Sequence, residues 1–143
     1  MISRRIKRKK QKRILVDLSA TILHHGHIRL LKKASKFGKV IVALTNDPEI
    51  RKNKGYFPEL SYKHRKEILS SVKYVSKVLP SNWLIDDKYL KKNKIDLLVH
   101  GHDNPHKIRY TKLKLFPRTK NISSNMIRKR AQVSLRRLKN FVR

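Results

Sequence analysis

Apolar positions along this chain fall into short blocks with two different spacings. Ile14-Leu15-Val16-Asp17-Leu18 and Val40-Ile41-Val42-Ala43-Leu44 are almost continuous apolar runs, as expected of strands buried on both faces. Ile95 to His100 repeats the pattern and runs into Gly101; Tyr74 to Leu79, closed by Pro80, and Leu113 to Phe116, ended by Pro117, predict two shorter strands. Between these runs the period changes. From His25 to Phe37 the apolar side chains Ile28, Leu30, Leu31 and Ala34 form a helical stripe, with Lys32, Lys33 and Lys36 toward water and Gly38 as a stop signal. Ser61 is expected to cap a helix to about Val72 with Ile68 and Leu69 turned inward, and Leu84 to about Asn93 predicts another. Asn46 to Leu60 reads as a polar stretch. A terminal helix opens at Ser123 or Ser124 and carries Ile127, Ala131, Leu135, Leu138 and Val142, expected to pack on the body rather than lie on a membrane surface. Strands alternating with helices imply one doubly wound α/β domain built on a parallel sheet. Residues 13–128 form that domain, 1–12 a basic arm and 129–143 a basic helical extension.

Charge changes this picture. Lysine and arginine number 38 against nine acids, a net charge of +29, with eight of the bases in residues 4–13 and seven in residues 128–143. Three readings stay open: solvated faces, anionic small substrates, and nucleic acid or an anionic surface touched by the two ends. Base stacking is poorly supported, because no aromatic residue interleaves with the basic ends before Phe141. The chain has no cysteine, which excludes disulfides and thiolate metal sites. No apolar run approaches the roughly 20 residues of a bilayer span, and no signal-peptide pattern is present, so a cytoplasmic protein is the expectation.

The candidate chemistry gathers at the expected carboxyl ends of the strands, where open α/β sheets bind their ligands. His24-His25-Gly26-His27 lies on the turn from the first strand into the first helix. A helix N-terminus favours anions, each imidazole adds a hydrogen bond, or a charge if protonated, and Gly26 lets a phosphate approach. Asn46, Gly101-His102-Asp103 and Arg118-Thr119 fall at the same edge. The remaining histidines, His25, His64, His100, His102 and His106, lack the spacing of a zinc ligand set, and no metal-ligating residue is assigned.

These motifs together resemble the cytidylyltransferase-like nucleotidyltransferases, over roughly residues 13–130. The resemblance is carried by His24-His25-Gly26-His27 with Ile28 to Ala34, Lys54-Gly55, Ser61 to Leu69, Lys73-Tyr74-Val75, Asn82-Trp83, Val99 to Asp103, Pro117-Arg118-Thr119 and Ile122-Ser123-Ser124. Within the family it is similar to the branch acting on glycerol 3-phosphate and ethanolamine phosphate. The resemblance implies a Rossmann-like fold and transfer of CMP from CTP to a phosphorylated alcohol, with magnesium accompanying the nucleotide and pyrophosphate leaving. It implies catalytic roles for His24, His27, Lys54 and Arg118. Ser19, Gly26, Gly101, Asp103, Thr119, Ile122, Ser123 and Ser124 would surround the nucleotide, and Trp83 and Lys73 the acceptor. A homodimer is a further possible partner arrangement.

The chain also departs from the pattern. Leu18-Ser19-Ala20-Thr21 stands where the family has Gly-Thr-Phe-Asp, which removes a glycine and an acid beside the nucleotide. Lys73 replaces an arginine, Ser76 an aspartate, Asn121 a glycine and Asn125 a threonine. Ile122 to Arg128 also resembles the ISSTxxR motif of adenylyl-transferring relatives. An ATP-using enzyme and a catalytically degenerate nucleotide-binding protein are therefore the competing expectations.

Overall fold

A computed structural model describes residues 9–101 and 105–141. Five parallel strands form one sheet: β1 (Arg13–Leu18), β2 (Lys39–Thr45), β3 (Lys77–Ser81), β4 (Leu97–Gly101) and β5 (Lys112–Phe116), in the order β3-β2-β1-β4-β5. The order reverses between β1 and β4, which opens a crevice beyond their carboxyl ends. The described residues also form five helices: α1 (His25–Ser35), α2 (Asp47–Lys54), α3 (Tyr62–Ser70), α4 (Asp87–Lys92) and α5 (Ser124–Phe141).

The two-sided apolar strands create two core layers. Val16, Leu18, Val42, Leu44 and Val99 meet Leu31 and Ala34 of α1 and Leu69 of α3; Leu15, Ile41, Ala43 and Leu98 meet Ile85, Leu90 of α4 and Ile95 on the other face. The expected doubly wound single-domain architecture is the one found, with helices on both faces of a parallel sheet.

Several expectations are corrected. The polar stretch after β2 holds α2, whose start is capped by the Asn46 side chain accepting from Glu49 N–H and whose end is closed by Gly55 at φ 79°. Its apolar contribution is a single buried residue, Ile50, so no stripe betrays it. Ser61 occupies the N-cap of α3 without bonding through its side chain; Asp47 Oδ2 instead accepts from Tyr62 N–H at 3.0 Å. Ile68 is 40% exposed, so of the expected pair only Leu69 is buried. Pro80 lies inside β3 rather than ending it, which an edge strand tolerates because a missing N–H on its outer side breaks no ladder. The terminal helix buries no residue: Leu135 and Leu138 are 61% and 59% exposed. Val142 lies outside the described residues.

Candidate active site

The β1–α1 turn builds the first part of the site. His24 is the N-cap of α1, and its Nδ1 accepts from Gly26 N–H at 3.1 Å. His27, three residues on, reaches back so that its Nδ1 accepts from His24 N–H at 3.2 Å. This reciprocal capping box satisfies two orphan donors of the helix start. It also sets the tautomers, since with both Nδ1 atoms accepting, the proton of each neutral ring sits on Nε2, ready to donate to an anion. The reason for Gly26 differs from the expected one. A Cβ there would lie 2.9 Å from the His24 ring, so the glycine makes room for the histidine that caps it.

Neither ring is poised to carry charge. Burial, with help from neighbouring His24 and Lys54, pushes His27 down to about 3, and burial beside His25 lowers His24. Both are neutral hydrogen-bond donors at neutral pH. Positive charge comes from elsewhere, from Lys54 at the end of α2 and Arg118 after β5, both lining the same cleft.

The second part is the start of α5. Ser123 Oγ accepts from Met126 N–H at 3.1 Å, as an N-cap does, and Ser124 Oγ donates to Ile22 O at 3.2 Å, joining α5 to the β1–α1 loop. Two helix N-termini thus open into one cleft of about 600 Å³, lined by Ser19, Gly26, Trp83, Gly101, Thr119 and Ile122 among others. Aligned backbone N–H groups and dipoles make such a place favourable for phosphates.

The altered loop Leu18–Thr21 has its own anchors. Buried Thr21 accepts a 2.9 Å bond from Arg128 Nη2, and the same guanidinium holds Glu59, with Nη2 to Oε2 at 2.7 Å, and stacks on Tyr56. Arg128 holds the Glu59 carboxyl below its usual range. Ala20 takes φ 42° and Asn121 φ 61°, left-handed conformations that asparagine accepts more readily than alanine does. Asn121 therefore supplies the backbone turn for which the family uses glycine.

Of the sequence-derived site residues, His24, His27, Lys54, Arg118, Ser19, Gly26, Thr119, Ile122, Ser123, Ser124, Gly101 and Trp83 all line this cleft. Lys54 Nζ lies 5.8 Å from the Trp83 ring centroid. Lys73 is not brought there; it is exposed and sits over Tyr74. It ends up away from the cleft because the turn from α3 into β3 runs from the opposite end of the sheet. Asp103 and His102 lie outside the described residues.

Two features escape the sequence. Arg65, 2% exposed, donates to Ser19 O, Thr45 O, Leu60 O and Asp47 Oδ1, tying four segments behind the cleft. The other is a cluster at the strand-order reversal. Asp17 Oδ1 lies 2.6 Å from His100 Nδ1 and Oδ2 lies 2.7 Å from His106 Nε2. Burial works to raise the Asp17 carboxyl, but the hydrogen bonds and charge of the two histidines outweigh it and hold it below its usual range. The ligand-type atoms of these three residues lie within 4.8 Å of one another, close enough together to hold a metal ion. His106 rules out that use. Its Nδ1 accepts from Ile85 N–H at 3.0 Å, so its proton sits on Nε2, the nitrogen facing Asp17. A metal-ligating histidine needs the opposite tautomer.

Comparison with known proteins agrees with the geometry. The model of the cytidylyltransferase-like family matches residues 20–130. A glycerol-3-phosphate cytidylyltransferase of Bacillus subtilis is 32% identical over 122 residues, covering 82% of this chain and 95% of that protein. A FAD synthase of Pyrococcus abyssi is 35% identical over 107 residues, covering 72% and 71%. The lipopolysaccharide core biosynthesis protein of Thermoplasma volcanium GSS1 shares the fold, with a TM-score of 0.63 at 22% identity over 79% of this chain and 100% of that one. The chain belongs to the cytidylyltransferase-like family of nucleotidyltransferases.

Proposed function

We propose that the chain transfers CMP from CTP to a phosphorylated alcohol of the glycerol 3-phosphate kind. The observation that carries this reading is the convergence of the α1 and α5 N-termini on one cleft, with the paired His24 and His27 Nε2–H donors beside Lys54 and Arg118. An oxygen of the acceptor phosphate attacks the α-phosphorus, the bond to the bridging oxygen breaks, and pyrophosphate leaves with that electron pair. The donors act by holding the triphosphate and stabilising charge in the transition state, without a covalent intermediate. Neutral imidazoles suit this work, since they need no proton exchange to remain donors.

Magnesium fits as a companion of the nucleotide, where it would neutralise phosphate charge. Among the described residues the carboxylate lining the cleft is Asp17, and both its oxygens are engaged by histidines. Phosphate oxygens and water would supply ligands of the kind that hard ion prefers.

ATP is the second reading, favoured by the likeness to a FAD synthase, whose product contains an adenylyl group. The test measures pyrophosphate release with magnesium, CTP or ATP, and a panel of phosphorylated alcohols. Release with CTP and a polyol phosphate, reduced by at least about 10²-fold in His27→Ala, is expected. Release with ATP alone moves the chain to the adenylyl branch. Nucleotide binding without release from any mixture overturns the transfer reading and marks a binding protein.

A further inference from the structure

After its first turn α5 leaves the rest of the protein. Ile127 and Arg128 are half-buried, but every residue from Lys129 to Phe141 is exposed. That stretch runs for roughly 20 Å without burying a side chain against the domain. A helix so short is marginal in water when it stands alone, and most helical stability comes from packing an apolar face. The sequence supplies such a face. Ile127, Ala131, Leu135 and Leu138 recur at intervals of four, four and three, and Phe141 follows three residues later. Leu135 and Leu138 are more than half exposed and Phe141 is 91% exposed. The stripe thus starts half-buried at Ile127 and continues uncovered beyond the edge of the domain.

Charge decides what can cover it. Ser124–Phe141 carries six cations, Arg128, Lys129, Arg130, Arg136, Arg137 and Lys139, and no acid. At about 100° per residue, Lys139 flanks the stripe on one side and Arg130 and Arg137 on the other, with Lys129 and Arg136 toward the back. A second copy laid along the stripe would bring its own six cations against these, and like charges facing each other across a seam oppose association. A nucleic-acid duplex would answer the cations but leave Leu135, Leu138 and Phe141 in water. An anionic bilayer answers both, with lipid phosphates for the cations and the acyl boundary for the stripe. An apolar stripe between lysine and arginine flanks is the pattern of a helix that lies in a membrane interface.

We propose that residues 129–141 of α5 dock on an anionic lipid surface. Leu135, Leu138 and Phe141 sink into the boundary between headgroups and acyl chains, while Arg130, Arg137 and Lys139 meet lipid phosphates. The helix lies in the plane of the surface; no helix among the described residues is long and apolar enough to cross a membrane. Binding strength scales with the buried apolar area plus attraction to anionic lipid, so loss of either weakens it. Because α5 begins at the cleft, docking holds the cleft within one helix length of lipid. Docking of this kind is independent of which nucleotide the cleft takes.

The experiment sediments the full-length protein, at about 0.15 M salt, with vesicles of equal parts phosphatidylglycerol and phosphatidylcholine, and with vesicles of phosphatidylcholine alone. Leu135→Gln/Leu138→Gln removes the stripe and Arg137→Gln/Lys139→Gln removes flanking charge. Val133→Gln changes an exposed apolar residue on the opposite side of the helix. Thermal melting of each variant checks that the domain is intact. Expected is partitioning onto the anionic vesicles at least about 10-fold stronger than onto the zwitterionic ones. It falls on the order of 10²-fold in the stripe variant and about 10-fold in the charge variant, and stays within about twofold in Val133→Gln. A stripe variant that binds as wild type does overturns the inference and leaves charge adsorption only. An equal loss in Val133→Gln overturns the assigned face, and equal partitioning onto both vesicles overturns the anionic surface. Wild type that stays in solution with both vesicles overturns the inference outright. In that event, a solution dimer that the stripe variant dissociates assigns the face to a second copy, and retention on a DNA duplex undiminished in the stripe variant assigns the helix to nucleic acid.

Discussion

His27 shows how one side chain can cap a helix and line a cleft at once. Its Nδ1 caps α1, which commits its proton to Nε2, and its burial holds it neutral far below the ordinary histidine range. The consequence for stability has a definite sign. Above pH 6.5 both folded and unfolded chains have a neutral ring, and this group contributes no pH dependence. As pH falls from 6.5 toward 3, the unfolded ring takes up a proton that the folded ring refuses, so stability declines across that window and levels below it. Asp17, with its depressed carboxyl, adds a loss in the same direction only at lower pH, below 3.8. Urea unfolding of His27→Gln between about pH 4.5 and pH 6.5 is expected to show a slope shallower by about one proton than wild type. An unchanged slope would mean that His27 already titrates in the folded chain. The neighbouring position Thr21 carries a related lesson. It stands where the family pattern has an acid, and its hydroxyl accepts from Arg128, so this position ties the loop to α5 through a neutral acceptor.

Arg65 belongs to the scale of elements, because what it joins are their ends. Its guanidinium reaches the carbonyls of Ser19 after β1, Thr45 at the end of β2 and Leu60 before α3, and the Asp47 carboxylate at the start of α2. It forms no part of the cleft wall but fixes the loops that do. Truncation removes a buried donor from the Thr45 carbonyl and a half-buried one from Asp47 and the Ser19 and Leu60 carbonyls. Arg65→Ala is expected to lose about 3–5 kcal/mol of unfolding free energy. Arg65→Lys recovers only part, because a single ammonium lacks the fork that reaches several acceptors. Denaturant midpoints for the two variants check this; equal stability of Arg65→Lys and wild type would show that charge alone suffices. Legibility at this scale follows from periodicity. β1, β2, α1 and the ligand edge are readable because continuous apolar runs and a 3.6-residue stripe have no competing interpretation. α2 is not, since one buried isoleucine makes no stripe, although Asn46, Pro48 and Gly55 in hindsight mark its two ends. The histidine pair is readable because its partners are three residues apart. Asp17, His100 and His106 are not, because their meeting depends on β4 lying beside β1, a pairing across 83 residues that no local pattern records. Arg65 lies within the helical pattern from Ser61 to Leu69, and nothing in its sequence neighbours shows that four segments converge on it.

Across the whole molecule the scarcity of acids has a structural explanation. Asp17, Asp47, Glu49, Glu59, Asp86, Asp87 and Asp96 each accept a hydrogen bond that caps a helix or ties a loop. Seven of the nine acids are thereby engaged at specific joints, chiefly with backbone N–H groups, and the 38 cations find little neutralisation within the chain. The net charge of +29 is consequently felt as self-repulsion, strongest where salt is low. Raising ionic strength from about 0.01 M to about 0.15 M shortens the screening length from about 30 Å to about 8 Å, less than the span of the domain. The melting temperature is expected to rise over that range, by on the order of 5 °C. A specific nucleotide acts on different terms. On the proposed reading, CTP with magnesium would stabilise through a localised site, so its increment is expected to persist at the higher salt, whereas non-specific polyanions lose theirs steeply as counterions compete. Melting curves with CTP and with an equal charge of polyphosphate, each at both salt concentrations, separate the two. Matching salt sensitivity for both ligands would mean that the cleft attracts charge without recognising a nucleotide. Retention of the CTP increment alone would place recognition in the capped helix starts, with the surrounding positive charge acting on encounter rather than on selection.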